Sequence, residues 1–237
     1  MIRPLLLASL LCSALALADA PVIPDLGAVA LTPRPSSLSP DWKYGPFMEV
    51  YVRGYQDSNG DGHGDLNGLI SRLDYLQQLG VTGLWLMPVN QSEDHNHGYA
   101  VKNYRDIESR YGKLADFRRL LDEAHRRGIG IIMDYVMNHS ADTHPLFVSA
   151  SHRDSPYRDW YVWQEGERPQ FWKGLNEESW YDKKGSWYFA VFWERMPDFN
   201  LKNPAVQQFH EDNLRFWLNE GVDGFRFDAV SHLVENG

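Results

Sequence analysis

The chain has 237 residues, of which 43% are hydrophobic and 14% aromatic, so it holds enough apolar material for a buried core. Lysine and arginine total 23 against 32 aspartate and glutamate residues, which gives a formal net charge of -9. The sequence contains no basic run of the kind that binds a phosphate backbone. Composition therefore excludes a disordered chain and argues against a nucleic-acid partner.

Residues 1–20 differ from the rest of the chain. Arg3 is followed by a nearly continuous apolar run from Pro4 to Leu17, and residues 16–18 or 18–20 offer a small-residue cleavage site. This pattern is typical of a secretory signal peptide, and the run is shorter than the roughly 20 residues of a membrane-spanning helix. We expect a secreted or periplasmic protein without a membrane anchor after cleavage; an uncleaved anchor is the alternative.

Residues 21–46 are rich in proline and show no sustained periodicity, so we expect an extended N-terminal arm with no domain of its own. The single cysteine, Cys12, lies before this arm. The mature chain is therefore expected to have no disulfide, and its stability must come from its core or from a bound metal.

From Phe47 onward, short apolar runs alternate with amphipathic stretches, which predicts successive β-strand and α-helix units around a parallel sheet. The candidate strands are residues 48–51, 83–87, 129–136 and 224–228. The candidate helices, each ending near a glycine, are residues 66–79, 114–127 and 206–218. The third strand is so continuously apolar that we expect it to be buried on both faces.

Residues 139–200 separate the third strand from its helix, and this connection is far longer than the roughly two to six residues that are usual. We predict an inserted subdomain here. Its many aromatic residues either form a small core or offer flat faces to sugar rings, and we expect most to be core and one or two to face a cleft.

Five motifs give the sequence a specific resemblance. In chain order they are GLWLMP at 83–88, HGY at 97–99, DYVMNH at 134–139, MPDFN at 196–200 and GFRFDAVSH at 224–232. Together they resemble the ordered motifs of the α-amylase family, glycoside hydrolase family 13, over the chain from about residue 47 to its end.

The resemblance implies an α/β fold, the N-terminal half of a (β/α)8 TIM barrel with a subdomain inserted after strand three. Residues 47–138 would hold barrel strands one to three, and residues 139–200 the inserted subdomain. Residues 201–237 would hold the third helix, the fourth strand and the start of the next helix.

Arg226 and Asp228 carry the chemistry that can be argued from the residues themselves. Alternate side chains of a strand point the same way, so these two are expected on one side of the fourth strand, at the end where barrel enzymes place their chemistry. A guanidinium keeps a neighbouring carboxylate ionised and oriented, as the nucleophile of a retaining glycosidase requires. A purely structural salt bridge is the alternative, and the five surrounding motifs favour catalysis.

The resemblance implies roles for further residues. His139 would bond to sugar hydroxyls next to the scissile bond, Tyr99 would stack under the same ring, and Asp134 would support Arg226. His232 would contact the substrate beyond the cleavage point. Ser231 stands where amylases of the family often have a lysine, which leaves the sugar contacts on that side open.

Residues 57–68, with the sequence DSNGDGHGDLNG, place oxygen-bearing side chains at loop positions one, three, five and nine and a glycine at position six. Position twelve is glycine instead of glutamate, so we do not expect an EF-hand sensor. We predict a structural calcium, as many oligosaccharide-cleaving relatives have in their first loop; a polar turn without metal is the alternative. The expected ligands are the side chains of Asp57, Asn59, Asp61 and Asp65 and the backbone carbonyl of His63.

Ala229, directly after the proposed nucleophile, resembles α-1,4-cleaving amylases more than α-1,6-glucosidases. We therefore expect α-1,4-glucans such as starch and maltodextrins as substrates of a monomeric enzyme of carbohydrate metabolism. A transglycosylating relative, for instance one that forms trehalose, is an alternative because it would share nearly all of these residues.

The resemblance places the general-acid glutamate and a second, transition-state-stabilising aspartate on later strands, and the sequence reaches Gly237 before either. We expect this chain to be the N-terminal part of a longer enzyme and to be inactive by itself. The alternative is a truncated, catalytically silent protein that binds calcium and glucans.

Overall fold

The computed structural model describes residues 21–93, 97–170, 172 and 178–234. The predicted signal peptide at 1–20 and the last three residues of the predicted 201–237 segment lie outside the described residues. Within the described part of the chain, no helix has both the length and the apolar character needed to cross a membrane.

The regular elements run from a 3-10 helix before β1 to another just after β9. The strands are β1 (Phe47–Val50), β2 (Gly83–Leu86), β3 (Asn90–Ser92), β4 (Val101–Ile107), β5 (Gly130–Tyr135), β6 (Trp163–Gln164), β7 (Trp180–Lys183), β8 (Ser186–Phe189) and β9 (Gly224–Phe227). The helices are α1 (Val52–Tyr55), α2 (Leu66–Ser71), α3 (Leu73–Gln78), α4 (Leu114–Arg126), α5 (Pro145–Ala150) and α6 (Pro204–Glu220). Short 3-10 helices cover Pro40–Tyr44, Arg158–Trp160 and Val230–His232.

Strands β1, β2, β5 and β9 form a parallel sheet in that order. All four predicted strands are present within two residues of their expected bounds. Strand β5 is buried along its length except at Ile132, as its continuous apolar sequence predicted. Because the strands are parallel, their carboxyl ends meet at one edge of the sheet, and the residues that follow β5 and β9 are brought together there.

The predicted helix over residues 66–79 is two helices. Helices α2 and α3 meet at Arg72, whose backbone N–H bonds to Leu69 and Ile70 instead of continuing one regular helix. Its side chain donates from Nε to Gln56 Oε1 at 2.8 Å, which ties the junction to the loop after α1. The apolar spacing continues across the break, so periodicity alone did not reveal it.

Helix α6 follows the inserted subdomain and carries clear local signals at both ends. The side chain of Asn203 accepts a hydrogen bond from the Ala205 backbone N–H, and Pro204 occupies the first turn. Gly221 ends the helix with φ of 104°, a left-handed conformation that glycine adopts without strain.

Two antiparallel units were not predicted from the sequence. Strands β3 and β4 form a hairpin between β2 and α4, with register shifts along it. Strands β6, β8 and β7 form a small sheet inside the inserted segment. The described structure is thus a parallel sheet with helices plus a small antiparallel insertion.

The inserted segment packs on α6, and several of its buried aromatic residues form one hydrophobic cluster with Tyr135 of β5. The rings of Tyr161 and Phe199 stack with centroids 4.6 Å apart, and Phe199 lies 5.0 Å from His210 of α6. Several of its aromatic side chains are buried, as expected for core residues: Trp160, Tyr161, Trp180, Tyr188 and Phe189. This shared packing fixes the insertion against the carboxyl edge of the parallel sheet.

The predicted N-terminal arm runs along α6. The Val29 backbone N–H donates to Asp212 Oδ1 at 2.9 Å, and the Thr32 N–H donates to Asn219 Oδ1 at 2.6 Å. Asn219 returns a bond of 2.8 Å from its side-chain amide to the Ala30 carbonyl. Residues 21–39 have no regular secondary structure, and the 3-10 helix Pro40–Tyr44 follows them.

The amino edge of the sheet is closed by two aromatic rings. Trp42 and Phe47 lie with ring centroids 5.5 Å apart. A Cβ atom at Gly130 would collide with the Trp42 indole, and one at Gly83 would collide with the Phe47 ring. These two strands therefore begin with glycine because the rings occupy the space where a side chain would lie.

Candidate active site

Arg226 joins two carboxylates at the carboxyl edge of the sheet. Its Nη1 donates to both carboxylate oxygens of Asp134 at 3.1 Å and to Asp228 Oδ1 at 2.6 Å. The parallel register sets Asp134 opposite Arg226, and Asp228 follows β9 directly. The predicted contacts of Arg226 with Asp134 and Asp228 are thus present.

Asp134 is fully buried and accepts hydrogen bonds from three side chains. Besides Arg226, the Tyr99 hydroxyl donates to Asp134 Oδ2 at 3.1 Å and the Trp85 indole N–H donates to the same oxygen at 3.3 Å. Burial raises the pKa of Asp134 to about 6, and the Arg226 guanidinium opposes that rise. Burial, together with the negative charge of Asp134, also raises the pKa of Tyr99, so its phenol stays protonated and donates.

Trp85 is a site residue that sequence reasoning did not single out. Its indole N–H bonds to Asp134, and the Arg226 guanidinium lies 5.2 Å from its ring centroid. Its place in the GLWLMP motif was noted without a role. An indole on a strand that is otherwise apolar was the available signal, because a Trp N–H near a core needs an acceptor.

A cleft of about 600 Å³ opens in front of these groups, within the roughly 300–1,000 Å³ common for small-molecule sites. It is lined by His97, Tyr99, His139, Phe192, Trp193, Met196, Asp228, Ala229, Ser231 and His232. Four of the predicted site residues therefore face one cavity: Tyr99, His139, Asp228 and His232. Arg226 and Asp134 do not line the cleft and lie behind Asp228.

His139 is buried in the wall of the cleft. Burial lowers its pKa to about 4, so the imidazole is neutral at neutral pH. Its Nδ1 lies 3.4 Å from the Asn138 side-chain amide, whereas its buried Nε2 has no hydrogen-bond partner in the described part of the chain. The Phe192 ring packs between two histidines, 5.4 Å from His139 and 5.3 Å from His232.

The backbone turns sharply directly after Asp228. Ala229 has φ of 52° and ψ of 32°, which lies in the left-handed region that residues other than glycine seldom adopt. This turn leads the chain from β9 into the 3-10 helix Val230–His232 and so directs His232 back toward the cleft. Strain of this kind clusters at functional sites, and an alanine gave no sequence signal for it.

The predicted calcium loop folds as a series of turns closed by its own carboxylates. Asp57 accepts backbone hydrogen bonds from Asn59, Gly60 and Gly62, and these bonds lower its pKa. Asn59 accepts from the Asp61 N–H, and Asp61 accepts from the His63 N–H, at 2.8 Å in both cases.

Asp65 closes the same loop from its far end. Its carboxylate accepts from the Ser58 hydroxyl and from the Gly68 N–H at the start of α2. The atoms of the loop that could coordinate a metal are oxygens, and calcium prefers oxygen ligands. In the described ranges, however, no group of three or more His, Cys, Asp or Glu side chains is arranged to hold a metal ion. The calcium site therefore stays a prediction.

Comparison with known families identifies the fold that carries this site. The family model described as Alpha amylase, catalytic domain matches residues 49–237, so this chain belongs to the α-amylase family. Alpha-amylase 3 of Dictyoglomus thermophilum is 46% identical over 198 residues, which cover 83% of this chain and 38% of that protein. The oligo-1,6-glucosidase of Parageobacillus thermoglucosidasius is 42% identical over 199 residues, covering 81% of this chain and 35% of that protein.

Solved structures of α-amylase-type proteins resemble this chain as well. An isomaltulose synthase from Erwinia rhapontici superposes with a TM-score of 0.79 at 40% identity, over 84% of this chain and 37% of that one. An alpha-amylase from H. orenii gives 0.74 at 42% identity, over 80% and 41%. The chain thus spans about two fifths or less of the length of these relatives. Their names show that the family acts on α-glucosides of several kinds.

Proposed function

We propose that this chain carries the nucleophile half of a retaining α-glycoside hydrolase that acts on α-1,4-glucans, with Asp228 as the nucleophile. The observation that supports this most directly is the 2.6 Å contact of Arg226 with an Asp228 carboxylate that faces the cleft. In this proposal the four parallel strands are the first half of an eight-stranded barrel, with the subdomain inserted after β5, the third strand of that barrel.

In the proposed reaction, Asp228 attacks the anomeric carbon of a glucose unit and forms a covalent glycosyl-enzyme. The bond from that carbon to the leaving oxygen breaks, and a second carboxyl group, expected on a later strand, protonates the oxygen. Water then hydrolyses the ester and releases Asp228. Arg226 keeps the attacking oxygen ionised and aimed, and Asp134 fixes Arg226.

Three cleft residues hold the reacting sugar in this proposal. His139 is neutral, and its unpartnered Nε2 is available to a sugar hydroxyl. Tyr99 offers its ring to the same sugar while its hydroxyl is held by Asp134. His232 contacts the next sugar, beyond the cleavage point, from the short helix after the Ala229 turn.

The nucleophile can be tested with 5-fluoro-α-glucosyl fluoride, because fluoride leaves without needing a proton and the ring fluorine slows hydrolysis of the intermediate. We expect mass spectrometry to find the sugar on the peptide that contains Asp228 and to find none in Asp228→Asn. A control variant, Asp223→Asn, alters a carboxylate at the opposite, amino end of β9 that lies outside the cleft and bonds to His125. Labelling of a different carboxylate, or labelling that survives Asp228→Asn, would contradict the assignment.

The linkage specificity rests on Ala229 and is tested by the products that the longer enzyme of this proposal, with its general acid, forms. Released glucose from maltose but not from isomaltose is expected for an α-1,4-glucosidic enzyme. Trehalose formed from maltose would favour the transglycosylating alternative. Binding of maltodextrins with neither product would favour the catalytically silent glucan-binding alternative.

The structural calcium belongs to the same proposal, with Asp57, Asn59, Asp61 and Asp65 binding through side chains and His63 through its carbonyl. The ion would supply positive charge that draws the loop carboxylates together next to α2. Because Asp65 also accepts from Gly68 at the start of that helix, ordering this loop would stabilise the helix. In the proposed secreted or periplasmic location, a bound metal would stabilise a mature chain that is expected to have no disulfide.

A further inference from the structure

Trp193 stands apart from the other aromatic residues of the inserted segment. Of the tryptophans in the described residues it is the most exposed, at 39%, and it lines the cleft that contains Asp228. An exposed indole in the wall of a cleft leaves apolar area in water. Such a position is costly for the free protein and becomes favourable when a ligand covers the ring.

The Trp193 ring is held in place by a cation. The Arg195 guanidinium lies 5.4 Å from its ring centroid, and Arg195 itself does not line the cleft. Arg195 is in turn paired with Glu93 at 3.7 Å and with Asp142 at 3.5 Å. Because Arg195 contacts Trp193 from outside the cleft lining, the part of the ring that lines the cleft is available to a ligand.

The network behind Arg195 reaches outside the inserted segment. Glu93, next to β3, also accepts hydrogen bonds from Lys102 of β4 at 3.1 Å and from the Thr143 hydroxyl at 3.0 Å. The β3–β4 hairpin and the inserted segment thus hold Arg195 from two sides. Fixing a side chain before the ligand arrives reduces the entropy that binding must overcome.

Trp193 follows directly on a residue that packs beside the predicted sugar-binding histidines. The Phe192 ring lies 5.4 Å from His139 and 5.3 Å from His232, and Phe192 and Trp193 line the same cleft. We propose that Trp193 is a stacking surface for a glucose unit adjacent to the one at Asp228, and that Arg195 is its positioning residue. This inference rests on the proposed function and names the part of the substrate that the cleft selects: an oligosaccharide longer than one unit.

Calorimetric titration with methyl α-glucoside, maltose and maltotetraose tests the stacking surface. Trp193→Ala is expected to weaken maltotetraose binding about three- to tenfold, to leave methyl α-glucoside binding unchanged, and to be largely rescued by Trp193→Phe. The matched control is Trp187→Ala, because Trp187 also lies in the inserted segment beside an arginine, Arg168 at 5.5 Å, and does not line the cleft. Circular dichroism and melting curves establish that each variant is folded.

The positioning role is tested by coupling. Arg195→Ala is expected to weaken maltotetraose binding less than Trp193→Ala does, and the double variant is expected to bind no more weakly than Trp193→Ala alone. Arg195→Lys should restore most of the loss. Arg168→Ala is the matched control, because Arg168 lies beside Trp187 in the same inserted segment and outside the cleft lining, and this variant should bind as the unaltered protein does.

The outcomes separate the two proposals. Failure of the unaltered protein to bind any of the three sugars would overturn the proposed function and this inference with it. Binding of maltotetraose by the unaltered protein and equally by Trp193→Ala would overturn this inference alone. Additive losses in the double variant would overturn the role of Arg195 and leave that of Trp193.

Discussion

Asp134 and Asp228 share Arg226 but differ in their surroundings. The Asp134 side chain has no exposed surface and accepts from Tyr99 and Trp85 as well, whereas the Asp228 side chain is 17% exposed and faces the cleft. The same ion pair therefore holds one carboxylate inside the protein and presents the other to solvent. The two aspartates can be distinguished by what their removal does to stability.

Replacing Asp134 by alanine is expected to lower the free energy of unfolding by about 2–3 kcal/mol. The change strands the Tyr99 hydroxyl and the Trp85 N–H without their acceptor and removes one partner of Arg226. The value lies below that for a fully buried pair because Arg226 is 36% exposed and solvent screens part of its charge. Urea unfolding followed by tryptophan fluorescence measures it.

Asp228→Ala provides the comparison, with an expected loss below about 1 kcal/mol because its carboxylate is partly solvated and Arg226 keeps Asp134. A loss as large as that of Asp134→Ala would show that both aspartates are structural. That result would favour the alternative given in the sequence analysis, in which Arg226 and Asp228 form a purely structural salt bridge.

The residues of this site were predictable to different degrees. Arg226 and Asp228 followed from strand alternation, and the contact with Asp134 followed from the family resemblance. Trp85 and the Ala229 turn did not, because the first depends on the register between β2 and β5 and the second on a backbone angle. Both are properties of the folded chain that neighbouring residue types do not encode directly.

At the level of elements, the N-terminal arm is more than a tail, since its backbone is bonded to α6. Asn219 alone makes two of these bonds, to Thr32 and Ala30. Arg34 adds an ion pair of 2.9 Å with Asp122 of α4. The arm therefore bridges two helices on the outside of the sheet.

Asn219→Ala is expected to release this part of the arm and to lower the free energy of unfolding by about 1 kcal/mol. Limited proteolysis should then cut near Ala30 and Thr32 sooner than in the unaltered protein. Glu211→Ala is the control on the same helix, because Glu211 pairs only with the exposed Arg215 in the described contacts and should change stability by at most about 0.5 kcal/mol. Equal cleavage rates for both variants would show that the arm is held elsewhere.

Elements with a strong period were predicted best. Strand β5 and helices α4 and α6 lie close to their expected bounds because apolar spacing and end signals agree there. The β3–β4 hairpin and the β6–β8–β7 sheet were missed because all of their strands except β4 have only two to four residues and the β3–β4 pairing is irregular in register. Short strands of this kind are stabilised by partner strands that are distant in the sequence, and local sequence patterns do not identify those partners.

For the molecule as a whole, calcium is expected to raise the melting temperature. A ligand present at 100 times its dissociation constant stabilises the folded state by about 2.7 kcal/mol. Scanning calorimetry with calcium and with chelator measures the shift, and Asp61→Ala should remove it while changing the chelated protein little, since Asp61 is exposed. The absence of any shift in the unaltered protein would leave the loop as a polar turn.

The global architecture was predictable because it depends on the order of strands and helices along the chain. Four strands with helices between them imply a parallel sheet, and the long 139–200 connection implied an insertion. The shape of the cleft was not predictable in this way. It depends on how the insertion packs on the elements around the sheet, which is decided by contacts such as Phe199 with His210 of α6.

The glycines at the closed edge of the sheet bear on how mutational data for this protein should be interpreted. Gly83 and Gly130 have no chemistry, yet any side chain there must displace Phe47 or Trp42. A saturation screen scored by activity would rank these positions beside Asp228, although they begin strands whose other ends form the site. Intolerance to substitution is thus expected at both ends of the same strands. Only a binding or labelling assay on folded variants distinguishes residues needed for packing from residues that take part in the reaction.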